Sequence, residues 1–285
     1  APGASPIVPP WDGTTCANVF TLRDVPDMDG IIACLSNRPV KRVAVIGGGF
    51  IGLEVVEALV ERGLEVSLIE LQQQLLPPLD ADMAREMQGA FEKHDVTLHL
   101  GVSVENLQVQ GDRVTAVKLA DGSALETDMV LISIGVRPNT KLAVDAGLTL
   151  GASGGIAVNT QMQTNDADIY AVGDVAETVH GITGSATRIP LAGPANRNGR
   201  LAGEHAALGN ALPATPVLGT AVVGAFGMTA AMTGLSCKAA QREGISYEAV
   251  YALRAHHAGY YPGAEGMVLK LVYDPKTRRV LGAQT

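Results

Sequence analysis

The stretch that decides the fold is KRVAVIGGGFIGLEVVEALVERGLEVSLIE, residues 41–70. An apolar run, Val43–Ile46, meets three glycines, and apolar residues then recur at helical spacing through Ile51, Val55, Ala58 and Leu59. A second apolar run, Val66–Ile69, follows and closes on Glu70. Buried parallel strands read as continuous apolar runs, whereas a half-buried helix shows a period near 3.6. The order strand, turn, helix, strand is therefore the βαβ unit of a parallel sheet.

Gly47, Gly49 and Gly52 form G-x-G-x-x-G at the junction of strand and helix. That context, more than the spacing alone, identifies a dinucleotide cradle. Gly47 permits the tight turn, Gly49 lets the backbone approach a pyrophosphate, and Gly52 lets helix and strand pack closely. The pyrophosphate then meets a helix N-terminus, whose free N–H groups and dipole favour an anion. Phe50 and Ile51 lie inside this turn. Glu70 closes the second strand, where an acid accepts hydrogen bonds from a ribose diol. Neither Leu71 nor Gln72–Gln74 offers a positive charge to a 2′-phosphate, so the expected cofactor is NADH.

Working outward, Leu79–Lys93 reads as a helix with Asp80 and Asp82 near its positive end. Thr97–His99, Ser103–Val109, Arg113–Leu119 and Ala124–Glu126 alternate between Gly-Asp and Asp-Gly turns, predicting an antiparallel meander. An apolar run, Met129–Ile134, returns to the sheet and stops at Gly135. After Gly154-Gly155 two strand-like runs lead to Gly173-Asp174, and PLAGPANRNGRLAGEHAALG follows as a helix with Pro194 in its first turn and Gly209 at its stop. Ala214–Cys237 is uncharged and long enough to span a bilayer, but its glycines, its threonines and Pro216 favour a buried strand–turn–strand passage. From about Gly219 strands surround a helix near Ser236–Glu243, and Val280–Thr285 is again strand-like.

Bulk composition narrows the class. The chain has 285 residues, 47% hydrophobic and 18% charged, as in a packed globular protein of two or more domains. A net charge of -8 without a basic run excludes a nucleic-acid surface. Three scattered cysteines, Cys16, Cys34 and Cys237, point to reduced thiols in a cytoplasmic protein. The opening APGASPIVPP gives no support for a signal peptide, and no membrane association is expected. His256 and His257 invite a metal reading, but adjacent residues on a strand face opposite sides, so no metal site is expected.

The glycine motif, IGVRPN at 134–139 and DADIYAVGD at 166–174 occur in an order that resembles the pyridine nucleotide–disulfide oxidoreductases, across essentially the whole chain. The resemblance implies an α/β fold, the two-dinucleotide-binding-domain flavoprotein fold. Its parts are an FAD-domain segment and linker at 1–39, a Rossmann-like NAD(H) domain at 40–152, a second FAD segment at 153–216, and a truncated α+β interface domain at 217–285. NVFTLRDVPDMDGI at 18–31, PLAGPANRNGR at 190–200 and HHAGYYPGAEG at 256–266 are similar to the coenzyme A-disulfide reductase and NADH-dependent persulfide reductase branch. APGASP resembles the ATGASP segment of that family, with Pro2 in place of the usual Thr.

What the resemblance implies about residues is specific. Asp174 holds the ribityl chain of FAD, with Gly173 allowing the close approach, and Gly135 and Ala171 belong to the same two motifs. Phe50 covers the flavin until NADH arrives, a core phenylalanine being the other reading. Glu54 contacts the nicotinamide side, unless it is a solvated helix residue. The helix that starts at Leu191 and Ala192 directs its N-terminal amides at the flavin, stabilising its reduced form. Tyr260 or Tyr261, from the partner subunit of a homodimer, protonates a leaving thiolate, packing at the dimer interface being the alternative. Hydride passes from NADH through FAD to a thiol disulfide or persulfide such as coenzyme A disulfide. Neither the family's first G-x-G-x-x-G nor its redox cysteine occurs here, so the sequence is expected to be an inactive piece of the enzyme. Two other functions stay open: an NADH oxidase or peroxidase on the same scaffold, and a catalytically silent nucleotide-binding fragment.

Overall fold

A computed structural model describes all residues, 1–285. In chain order its elements are β1 (Ala4–Pro6), β2 (Val19–Phe20), α1 (Val25–Asn37), β3 (Arg42–Ile46), α2 (Phe50–Val60), β4 (Glu65–Glu70), α3 (Ala81–Lys93), β5 (Thr97–Leu100), β6 (Val104–Gln110), β7 (Arg113–Leu119), β8 (Ala124–Glu126), β9 (Met129–Ile132), β10 (Val136–Pro138) and α4 (Lys141–Asp145). A short 3-10 turn, Gly173–Val175, precedes β11 (Thr178–Val179), β12 (Ala186–Thr187), α5 (Ala192–Leu208), β13 (Ala221–Ala225), β14 (Met228–Gly234), α6 (Cys237–Arg242), β15 (Glu248–Ala255), β16 (Gly266–Tyr273) and β17 (Val280–Gln284). Two compact units divide the chain.

One unit comprises Pro6–Gly135, with Val222–Ala230 and Thr285. Its centre is a parallel sheet in the order β2-β9-β3-β4-β5. The meander β6-β7-β8 is antiparallel. Ala44, Ile46, Ile69, Val130 and Ile132 of the sheet pack with Leu107, Val114, Val117 and Leu119 of the meander into one core. Every residue of β9 is buried, as its unbroken apolar sequence demands. The structure corrects one expectation. Thr97–Leu100 joins β4 in parallel instead of the meander, because α3 carries the chain back across the sheet before β5 begins.

The other unit comprises Ala1–Ser5, Val136–Ala221 and Ala231–Gln284. Ala143, Ile156, Ala171, Val175 and Ala176 form its small core cluster. The strand-like runs before Gly173 are not regular strands. They make only isolated bridges, Leu150 to Ile156, Ile156 to Ala176 and Gln163 to Tyr170. Polar side chains account for this: Thr164 Oγ1 accepts the Asp166 amide and Asp166 Oδ1 accepts the Asp168 amide, so local turns compete with ladder pairing. α5 ends as its sequence predicts, at Gly209 in the left-handed region (φ 69).

The remaining sheet has the order β13-β14-β17-β16-β15. β17, the last strand of the chain, pairs antiparallel with both β14 and β16 and so occupies the middle of the sheet. α6 is capped by the Ser236 hydroxyl, which accepts the Ala239 amide. Residues 214–237 contain the expected strand–turn–strand, but the passage is not buried as expected: Leu218, Val222 and Met228 are exposed, since β13 lies at the edge of its sheet. No helix in the chain is long and apolar enough to cross a membrane.

Candidate functional site

The cradle at 47–52 has the geometry its sequence requires. Gly47 has φ 112, and a Cβ there would lie 2.5 Å from the Ser133 carbonyl oxygen. A Cβ at Gly52 would overlap the carbonyl oxygen of Gly47, so α2 can approach β3 only with glycine at 52. Gly49 is different. It is the N-cap of α2, contributes no side-chain cap, and a Cβ there would meet no protein atom within 4 Å. The first turn of α2 thus opens into free space with its amides available, which fits an anion. Phe50 is half-buried, Ile51 and Glu54 are exposed, and Leu53 is fully buried against the sheet.

Glu70 ends β4 beside this turn and is only 7% exposed. One carboxylate oxygen accepts the Gly48 amide at 2.7 Å and the other accepts the Gln72 amide at 2.7 Å. Ser133, which the sequence reading passed over, donates at 3.1 Å to the carbonyls of Ile46 and Gly47 and ties β9 to the turn. Its signal was a lone polar residue closing the apolar run of β9. Gln74 was also missed. Its amide reaches the carbonyls of Leu75, Leu76 and Leu79 and holds the loop after β4.

The second predicted site lies in the other unit. Gly173 has φ 78 and opens the 3-10 turn that presents half-buried Asp174. This turn packs against the first residues of α5, where a Cβ on Gly173 would sit 3.8 Å from the Ala195 Cβ. α5 is N-capped by Leu191, which has no side chain able to cover the first-turn amides, and Ala192 and Gly193 are exposed. Small residues at an uncapped helix start leave room for a ligand and a positive partial charge beside it. Ala171 is placed otherwise than a ligand contact requires of its side chain. It is 3% exposed and belongs to the core, with its amide given to the Met162 carbonyl. Gly135, exposed and at φ 113, follows β9 in the first unit.

Tyr260 and Tyr261 are 85% and 57% exposed in the loop between β15 and β16, their rings 5.1 Å apart. His256 and His257 do not face opposite ways. β15 ends at Ala255, and in the bend beyond it the two Nδ1 atoms lie 2.6 Å apart. No cluster of three or more His, Cys, Asp or Glu side chains is placed to hold a metal. None of the three cysteines forms a disulfide. Tyr170, inside the 166–174 motif, shares a 2.8 Å hydrogen bond with His205 of α5, another contact the sequence did not announce.

A parallel sheet with a glycine turn at the start of α2, and a second glycine turn at Gly173-Asp174 beside the start of α5, is the arrangement of an α/β protein of the dinucleotide-binding class. Residues 1–199 match the pyridine nucleotide-disulphide oxidoreductase family and residues 220–285 match its dimerisation domain, and the chain belongs to this family. Among curated relatives, the CoA-dependent NAD(P)H sulfur oxidoreductase of Pyrococcus furiosus is 35% identical over 285 residues, covering 100% of the chain and 64% of the relative. An NADH oxidase of Methanocaldococcus jannaschii is 37% identical over 285 residues, covering 100% of the chain and 62% of the relative. The crystal structure of reduced Bacillus anthracis CoADR-RHD superimposes with a TM-score of 0.93 at 43% identity, covering 99% of this chain and 50% of that one. The chain thus spans less than two thirds of the length of these relatives.

Proposed function

We propose that the protein passes hydride from NADH through FAD to a thiol disulfide or persulfide, such as coenzyme A disulfide. The observation that carries this reading is the open backbone at Gly49, flanked by two positions where only glycine fits. FAD, when bound, supplies the two-electron relay between nicotinamide and sulfur. The chain's own residues bind and orient. Gly47, Gly49 and Gly52 receive the NADH pyrophosphate, Glu70 adjoins the adenosine ribose, and Phe50, Ile51 and Glu54 line the approach on α2. Gly173 and Asp174 hold the ribityl chain, and the α5 amides beyond Leu191 and Ala192 stabilise negative charge.

In this reading residues 1–39 and 153–216 belong to the FAD domain, 40–152 to the NADH domain and 217–285 to the interface domain of a cytoplasmic homodimer. Tyr260 or Tyr261 of that interface domain protonates the leaving thiolate. The match of 220–285 to a dimerisation domain supports the pairing of two copies. The names of the relatives support a sulfur substrate, and one supports oxygen chemistry as a second reading.

The test is an assay of the full-length protein, purified and scored for visible flavin bands and for NADH consumption. Consumption that depends on coenzyme A disulfide or polysulfide is the expected result. Fast consumption with oxygen or peroxide alone would establish the oxidase reading, and a colourless protein that binds NADH without turnover would establish a silent binding module.

A further inference from the structure

The phosphate turn and the segment after β4 form one hydrogen-bonded unit. Gly48 is held at both ends: its amide donates to Glu70 Oε2 at 2.7 Å, and its carbonyl accepts the Leu76 amide at 2.9 Å. Glu70 Oε1 accepts the Gln72 amide at 2.7 Å, and the Gln72 carbonyl accepts the Gly101 amide at 2.8 Å. A Cβ at Gly48 would stand 2.9 Å from Leu75 Cδ2 and 3.2 Å from Glu70 Oε2, so no side chain can enter between turn and carboxylate. A carboxylate at 7% exposure is stable only when hydrogen bonds replace its lost water, and the two backbone amides do this.

We infer that Glu70 is a positioning residue for the pyrophosphate turn, in addition to any contact with ribose. Its carboxylate sets the Gly48 amide in the free protein, so the cradle is preformed before nucleotide arrives. Selectivity at the ribose and affinity at the pyrophosphate are then coupled through one side chain. Removing the carboxylate then loosens the turn for every dinucleotide, whatever it changes at the ribose. The ligand side of this inference rests on the NADH reading; the clamp itself is made by the chain's own groups.

The experiment compares the full chain with its Glu70→Ala and Glu70→Gln variants. Amide hydrogen exchange is measured at Gly48 and Gln72 without nucleotide. Binding is measured for NADH and for a dideoxy analogue lacking both hydroxyls of the adenosine ribose. Glu70→Ala is expected to speed exchange at both amides by about tenfold or more, since two charge-assisted bonds are lost. Glu70→Gln keeps one acceptor oxygen and is expected to speed exchange at one amide. Glu70→Ala should weaken the dideoxy analogue as well as NADH, with any excess loss for NADH measuring the ribose contact. Native exchange rates in both variants would overturn the clamp, as would an affinity loss confined to NADH, which would leave Glu70 a ribose contact alone. Should Glu70→Ala fail to fold, the isosteric Glu70→Gln decides the exchange result. Should the wild-type chain bind no NADH, the cofactor reading falls while exchange at 48 and 72 still decides the clamp.

Discussion

The backbone amide of Phe226 donates to the Glu57 carboxylate at 2.5 Å, joining the β13–β14 turn to α2, the helix that begins at the glycine turn. Phe226 has φ 51, a conformation costly for a residue with a side chain, and the contacts of its ring offset that cost. The ring stands edge-on to Phe91 at 4.8 Å and stacks on His94 at 4.2 Å. Phe226→Ala is expected to destabilise this unit by about 1–3 kcal/mol, less than for a fully buried phenylalanine. Glu57→Gln should cost about 1 kcal/mol through the weakened hydrogen bond. Urea unfolding followed by circular dichroism measures both, and unchanged midpoints would contradict the packing argument.

Gly49→Ala separates binding from folding. Its φ of -83 suits alanine, and no protein atom lies within 4 Å of the added methyl group. Stability should therefore change by no more than about 0.5 kcal/mol, as for an innocuous surface substitution. Titration calorimetry should show NADH affinity falling by about tenfold or more, because the methyl group occupies the approach of the pyrophosphate. Gly52→Ala, whose Cβ collides with the Gly47 carbonyl, should instead lose stability and binding together.

Asp174→Ala and Ala192→Leu probe the second cradle in the full-length protein. Ala192 is exposed at the start of α5, so the larger side chain meets no core packing. Both substitutions are expected to lower the flavin-to-protein ratio in the visible spectrum, with Ala192→Leu also shifting the flavin reduction potential. A native ratio and potential in both would remove this surface from the proposed site.

His99, in β5, titrates below its ordinary value of 6.5 because burial disfavours its charged form, with Asp121 opposing the shift. Its Nε2 is buried without a hydrogen-bond partner. A folded-state value below the unfolded one means the unfolded chain takes up the proton first on acidification. Stability is therefore unaffected by this group above the unfolded value near 6.5 and declines as pH falls below it, until the folded-state value is passed. Chemical denaturation from pH 7.5 to 5 should show a shallower loss in His99→Gln than in the parent. Parallel curves would assign the acid sensitivity elsewhere.

NADH should give a higher kcat/KM than NADPH, since Leu71 and Gln72 stand exposed beyond Glu70 with no cation among Leu71 and Gln72–Gln74. Leu71→Arg, which leaves the Glu70 clamp intact, is expected to raise kcat/KM for NADPH by severalfold through added attraction to the 2′-phosphate. Steady-state kinetics with both nucleotides tests this, and a parent enzyme faster with NADPH would reverse the assignment.

Residues 41–70 determined the cradle unaided, because a strand period, a helix period and three obligatory glycines are all expressed within one turn's reach of each other along the chain. The helix stop at Gly209 and the uncharged strand–turn–strand at 214–237 were legible for the same local reason. Tertiary structure alone decided the rest. The parallel partner of β5, the loss of strands before Gly173, the two amides on Glu70 and the seat of Phe226 depend on contacts distant in sequence, up to 169 residues apart for Phe226 and Glu57. Local periodicity fixes which face a residue presents, while the partner it meets there is chosen only when separate elements pack.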